Sequence, residues 1–134
     1  MCGTIVQPHV KFLLYIKPYP VPTKVMLQRI LEFSHCIATE QYDDDVSALQ
    51  CTIPQKLKTL ISLSEQVPFS MPVRNIVNER IIAAYKETLL NIEIFTRHGD
   101  FSHASDIICD VKCEIEIARL FFEGIYKYIC NCDS

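Results

Sequence analysis

The distribution of proline is the feature that most constrains how this chain can fold. All seven prolines lie at or before Pro72, so the rest of the chain lacks the residue that most strongly breaks helices. From Val73 to Cys130, apolar residues recur at helical spacing, with one interruption around Gly99. This pattern predicts two long helices, 73–97 and 103–130, joined as an antiparallel hairpin. We expect Pro72 in the first turn of the first helix, Gly99 as its left-handed C-cap residue and Ser102 as the N-cap of the second. The helix 73–97 is apolar over more than half of its circumference and is therefore expected to be the central helix, buried on several sides.

Length and composition indicate a single domain over residues 1–134. Of these residues, 49% are hydrophobic and 22% are charged, which is typical of folded rather than disordered chains. Apolar periodicity predicts three further helices, at 24–41 with Thr23 as N-cap, at 46–50, and from an N-cap at Thr52 to Pro68. We therefore expect an all-α fold, a compact bundle of about five helices built on the C-terminal hairpin.

The first 22 residues form a proline-rich, apolar segment whose structure the pattern leaves open. Between Pro8 and Pro18, the run 9–17 alternates in a way that suits a short strand, but about two turns of helix fit nearly as well. A lone strand would need a partner strand from another chain.

Charge and hydropathy argue against two classes of partner. The net charge is −3, and the lysines and arginines are scattered, whereas a nucleic-acid-binding protein usually carries a basic patch. No apolar run approaches the ~20 residues of a membrane span, and the run 12–16 is too short for a signal peptide. We expect a soluble protein of the cytoplasm or nucleus that binds neither nucleic acid nor the membrane interior.

The cysteines indicate free thiols in a reducing compartment. There are seven, an odd number with irregular spacing, which does not suggest a disulfide framework. We expect most of them to be buried on helix faces. Metal binding or a disulfide at Cys109/Cys113 or Cys130/Cys132 stays open, although the two pairs lie about 30 Å apart on one helix and cannot form one zinc site within a chain. No metal or cofactor is expected.

No catalytic motif is apparent. The chain has three glycines, too few for a glycine-rich phosphate loop, and it lacks a serine nucleophile elbow. Cys36 could pair with His35 or His98, but the adjacent His35 and Cys36 point to different sides of their helix. We therefore expect no enzyme activity and assign no catalytic residues.

The predicted helix 103–130 carries more apolar surface than one core stripe requires. A second apolar face consists of Cys109, Cys113, Ile117, Leu120, Phe121, Gly124 and Tyr128. Either another helix of the domain covers this face, or it binds a partner protein or a second copy of the chain. Gly124 disfavours the helix, which suggests close approach by another backbone. The predicted partner-binding residues are Cys113, Ile117, Leu120, Phe121, Gly124 and Tyr128.

The turn between the two long helices resembles the inter-helix junction of a tetratricopeptide repeat. Gly99, Asp100, Phe101 and Ala104 match that family's Gly-Asp-aromatic-x-x-Ala pattern, and the resemblance covers residues 85–117. The family's aromatic and Leu-Gly positions in the first helix are not matched, its closing proline falls on Glu116, and no second repeat is visible. The resemblance therefore implies an antiparallel hairpin in a helical interaction domain, and no peptide-binding residues.

These observations predict a non-catalytic, intracellular interaction module or complex subunit that binds a partner, or itself, through an apolar helix face. One alternative is a small helical regulator similar to viral inhibitors of host cell-death or immune signalling. Another is a small thiol- or zinc-dependent protein.

Overall fold

A computed structural model describes residues 21–133. These residues form four continuous helices: α1 over Val21–Thr39, α2 over 45–66, α3 over 71–98 and α4 over Ala104–Asp133. No strand occurs in this range, so the all-α prediction is confirmed for it. The segment 9–17 lies outside the described residues. None of the four helices combines the length and apolar character needed to cross a membrane.

The number of helices in the described range is four rather than about five, because the helices predicted at 46–50 and from Thr52 onward are one element, α2. Its N-cap is Asp44, whose carboxylate accepts a hydrogen bond from the Val46 amide at 3.1 Å. Thr52 has helical backbone angles and makes no capping bond, so its predicted role was wrong. An aspartate in the middle of the acidic run 43–45 caps the helix better than the threonine further along.

Pro54 lies inside α2, and Pro72 lies near the start of α3. In α2 the backbone widens to π-helical turns over Ala48–Thr52, immediately before Pro54. The wider turn tolerates a residue that has no N–H to donate to the preceding turn. In α3, Pro72 lies in the first turn, as predicted, and π-helical turns follow over Val77–Ile82.

The remaining helix boundaries correct two further expectations. Thr23 does not cap α1, because the helix begins at Val21 and Thr23 is fully buried within it. Gly99 ends α3 with φ of 72°, as predicted for a left-handed C-cap residue. The Ser102 hydroxyl, predicted to cap α4, donates to the Asp100 carboxylate at 2.8 Å instead.

Aromatic and small side chains join the two long helices at their turn. The rings of Phe95 and Phe101 pack edge to face, with centroids 5.7 Å apart. Ala104 is buried at the start of α4. The aromatic and the small residue of the turn motif therefore both contribute to packing.

All four helices contribute to one hydrophobic core. Its fully buried side chains include Leu27, Ile30, Ile37, Leu49, Leu57, Leu60, Val77, Tyr85, Ile115 and Phe122. The most extensive pairwise packing joins α1 and α4. Leu90 and Ile94 of α3 are exposed, so the expectation that α3 is the central helix, buried on several sides, was wrong.

Ion pairs occur where the helical spacing predicts them. Glu93 pairs with Arg97 across one turn of α3. On α4, Arg119 pairs with Glu123 at 2.8 Å, and Lys127 pairs with the same carboxylate at 3.0 Å. These pairs are partly or largely exposed and stabilise the helices only slightly.

Candidate functional site

The second apolar face of α4 is open among the residues that the structure describes. Ile117 is 70% exposed, Leu120 is 54% exposed and Phe121 is 38% exposed. Cys113 and Gly124 are also exposed, and Tyr128 is half-buried. None of the four helices covers this face. We call the six residues Cys113, Ile117, Leu120, Phe121, Gly124 and Tyr128 the α4 apolar face.

This exposure follows from the helical period. Ile115, Ala118 and Phe122 point into the core, and residues two positions away from them in sequence turn toward the opposite side. Ile117 and Leu120 therefore point away from the core when their neighbours are buried. One stripe of α4 packs into the core, and large apolar residues outside that stripe remain exposed.

Within residues 21–133, Gly124 has no close neighbour on the side where a Cβ would lie. A Cβ added at this position would meet no other atom within 4 Å among the described residues. Close backbone approach within the described domain therefore does not explain this glycine.

One edge of the α4 apolar face continues into a groove of about 230 Å³ between α3 and α4. The groove is lined mainly by apolar side chains and also by one arginine, one tyrosine and one glutamate: Ile76, Arg80, Ile81, Ala84, Tyr85, Glu114, Ile117, Ala118 and Phe121. Ile117 and Phe121 thus belong to both the face and the groove.

Two polar atoms in the groove are buried without a hydrogen bond to any described residue. They are the hydroxyl oxygen of Tyr85 and the Oε1 atom of Glu114. Tyr85 is only 1% exposed. The other carboxylate oxygen of Glu114, Oε2, lies 2.8 Å from the Thr88 hydroxyl, and the same hydroxyl lies 3.0 Å from the Ala84 carbonyl oxygen.

Burial also changes the acidity of these groups. Desolvation raises the pKa of Glu114 above its ordinary value; the hydrogen bond from Thr88 opposes that rise, and the negative charge of Glu87 adds to it. The pKa of the Tyr85 phenol is raised by burial and, to a smaller extent, by the charge of Glu114. A carboxylate in partly apolar surroundings with an unused oxygen favours a donor, above all a cationic one.

The sequence did not reveal the polar part of the groove. Tyr85 reads as one more apolar position of α3, and Glu114 as one more charge of α4. Only the pairing of the two helices brings them together. Only the position of the Glu114 carboxylate, between the core stripe and the apolar face of α4, could have indicated a polar site from the sequence.

The cysteines differ in part from the prediction. The five cysteines with described side chains are free: Cys36, Cys51, Cys109, Cys113 and Cys130. The first four are exposed, and Cys130 is half-buried, so the expectation that most thiols would be buried was wrong. The four exposed cysteines lie outside the apolar stripes that face the core. Within the described residues, no group of three or more His, Cys, Asp or Glu side chains is arranged to hold a metal ion.

Comparison with known proteins places the chain in no described group: no family model, no curated protein sequence and no solved structure matches it.

Proposed function

We propose that this chain is a non-catalytic interaction module that binds a partner protein, or a second copy of itself, through the α4 apolar face. The observation that carries the proposal is the exposure of Ile117, Leu120 and Phe121 together on one side of one helix. Large apolar side chains grouped on a surface mark interfaces more often than isolated ones do. Aromatic residues such as Phe121 are enriched where proteins bind one another.

The energetics indicate how large the bound surface has to be. Full burial of a leucine, isoleucine or phenylalanine contributes about 1.5–3 kcal/mol, and these three side chains are already partly buried. Association costs about 4–15 kcal/mol in lost freedom. The partner must therefore also cover Cys113 and the helix surface around Gly124, because stable interfaces bury more than about 1,000 Å² in total.

The proposal includes the antiparallel arrangement of α3 and α4. Phe95 and Phe101 meet close to the turn, and further from it Thr88 contacts Glu114. Residues at matching distances from the turn are thus neighbours, as they are in a helical hairpin. The resemblance of residues 85–117 to a tetratricopeptide hairpin supports the same arrangement.

We further propose a reducing compartment, the cytoplasm or the nucleus. The free state of the five described cysteines supports this proposal, since exposed thiols persist where reductants maintain them.

Leu120→Asp and Leu90→Asp provide a matched test. Both leucines lie in long helices and each is 54% exposed, but only Leu120 belongs to the α4 apolar face. We expect Leu120→Asp to abolish self-association in light scattering, or to abolish retention of the partners captured by the wild-type chain. Leu90→Asp should behave like the wild type. Equal binding by both variants, with circular dichroism showing both folded, would refute the proposal.

A further inference from the structure

The groove between α3 and α4 combines an apolar wall with buried acceptors. Tyr85 and Glu114 each present an oxygen that is removed from solvent and has no hydrogen-bond partner among the described residues. A buried polar atom without a partner costs free energy, and a bound donor would recover that cost. The groove therefore favours an occupant that brings a hydrogen-bond donor to this point.

The walls and the volume restrict what that occupant can be. Ile76, Ala84, Ile117 and Phe121 line the groove together with Tyr85 and Glu114, so the part of the occupant that packs against them must be apolar. A cavity of about 150 Å³ accommodates benzene, whereas sites for drug-sized ligands measure about 300–1,000 Å³. The observed 230 Å³ suits a single long side chain.

Charge selects among the possible donors. Glu114 lies in the groove, and the negative charge of Glu87 acts on it. Arg80 also lines the groove, so the groove is not uniformly acidic. The available oxygen of Glu114 nevertheless favours a cation, because hydrogen bonds between charged groups are stronger than neutral ones.

We propose that the groove receives a lysine side chain from the protein that docks on the α4 apolar face. Its methylene groups lie against Ile117 and Phe121, and its ammonium group donates to Glu114 Oε1 and to the Tyr85 hydroxyl oxygen. This inference rests on the proposed function and names the chemistry of the partner.

Lysine fits this position better than arginine does. A guanidinium group binds a carboxylate most strongly through both of its oxygens, but Glu114 Oε2 is already bonded to Thr88. An ammonium group needs only the remaining oxygen and has a second donor for Tyr85. Its aliphatic stem also tolerates apolar surroundings while the charged end reaches a polar group.

The Thr88 hydroxyl indicates how the site responds to pH. A hydroxyl has one hydrogen, yet Thr88 lies within hydrogen-bond distance of both the Ala84 carbonyl and Glu114 Oε2. When Glu114 carries a proton, both bonds can form at full strength, because Thr88 then donates to the Ala84 carbonyl oxygen and accepts from the carboxyl group. The protonated carboxyl does not attract a cation, so ammonium binding should weaken as pH falls. The charged or titratable α3 groups that line the groove with Glu114 or act on it are Arg80, Tyr85 and Glu87.

The test uses the full chain and two small probes of equal length, n-butylamine and n-butanol, followed by methyl NMR at neutral pH. We expect n-butylamine to shift the methyl signals of Ile117 and Ala118 in a saturable way, and n-butanol to bind about tenfold more weakly. Equal binding of the two probes, or shifts confined to other parts of the chain, would overturn the proposal.

Two variants test whether n-butylamine binds to the two proposed acceptor oxygens, and a third serves as the control. Glu114→Gln should reduce n-butylamine affinity to about the level of n-butanol, and Tyr85→Phe, which keeps the packing, should reduce it less. Glu116→Gln is the matched control on the same helix, because Glu116 is engaged by Arg119 at 2.6 Å; it should bind the amine like the wild type. Unchanged affinity in both Glu114→Gln and Tyr85→Phe would show that the amine does not bind through these oxygens, which would overturn the proposal.

Two further outcomes separate this inference from the function on which it rests. If the amine does not bind but partner capture still depends on Leu120, the lysine assignment fails and the docking surface stands. If the amine binds only after Lys11→Gln and Lys17→Gln are introduced, the occupant is the N-terminal segment of this chain, which overturns the assignment to a partner.

Discussion

The backbone at Gly99 requires glycine, whereas the helical backbone at Gly124 does not. Gly99 adopts φ of 72°, a conformation that costs other residues about 1–2 kcal/mol. Gly124 lies in the middle of α4 with no atom near its absent side chain among the described residues, and a glycine there costs about 0.5–1 kcal/mol relative to alanine. The sequence predicted the first role; close approach to Gly124 by another backbone is not observed among the described residues.

Alanine substitutions at these two positions should therefore change stability in opposite directions. We expect Gly99→Ala to lower the free energy of unfolding by about 1–2 kcal/mol and Gly124→Ala to raise it by about 0.5–1 kcal/mol. Urea denaturation of the two variants beside the wild type measures both effects. A loss of stability in Gly124→Ala would show that something does pack against this position.

Glu114 should make stability depend on pH in an identifiable way. Its pKa in the folded protein is raised by burial, so the folded state holds the proton more firmly than the unfolded chain does. The wild type should therefore lose stability relative to Glu114→Gln as pH rises from about 4.5, the ordinary value for a glutamate. Denaturation midpoints measured at a series of pH values give this difference.

Glu116→Gln supplies a control of opposite sign. The hydrogen bonds from Arg119 lower the pKa of Glu116, so the ionised carboxylate stabilises the fold. The wild type should gain stability relative to this variant as pH rises toward neutrality, by a small amount because the pair is partly exposed. The same pH trend in both variants would contradict the assigned environment of Glu114.

Among the elements, α2 shows what sequence patterns locate well and what they miss. Its apolar face follows directly from helical spacing, and Leu57 and Leu60 on that face are fully buried. Its start was misplaced because π-helical turns carry the chain past Pro54 without a break. Local propensity rules assume regular turns, and a single wider turn is enough to join two predicted helices.

The end of α2 is stabilised by a residue that local patterns did not identify. The Arg74 guanidinium group donates to the carbonyl oxygens of Ser64, Glu65 and Val67. The carbonyl groups in the last turn of a helix lack partners within the helix. Arg74 therefore connects the start of α3 to the end of α2.

Replacing Arg74 should uncouple these two elements. We expect Arg74→Met to lower the free energy of unfolding by about 1.5–3 kcal/mol, the range for hydrogen bonds to charged groups. Arg80→Met is the control, because Arg80 is exposed on the same helix and its loss should change stability by less than about 0.5 kcal/mol. Equal effects in thermal denaturation would show that the bonds from Arg74 contribute nothing specific.

At the scale of the whole molecule, the sequence predicted α4 best. The apolar residues that recur every third or fourth position along its core stripe are mostly buried, among them Val111, Ile115 and Phe122. Outside the stripe, Ile117, Leu120 and Phe121 are exposed. The groove could not be predicted in the same way, because its polar atoms belong to Tyr85 and Glu114 on different helices. Periodicity indicates which face of a helix is apolar but not which residues of another helix it meets.

The central claim is that the α4 apolar face is covered by another protein in the cell. Cys113 lies on this face and Cys51 lies on α2, and both thiols are exposed and free. They are therefore native reporters for alkylation by N-ethylmaleimide, with rates measured by mass spectrometry in intact cells and on the purified monomer. This measurement leaves the surface itself unaltered.

We predict that Cys113 reacts more slowly in cells than in the purified monomer, and that Cys51 reacts similarly in both. Because an interface excludes reagent as well as water, protection should be confined to the covered face. Equal reactivity of Cys113 in the two settings would contradict the claim, whether the thiol reacts freely in both or is already protected in the monomer by residues of its own chain.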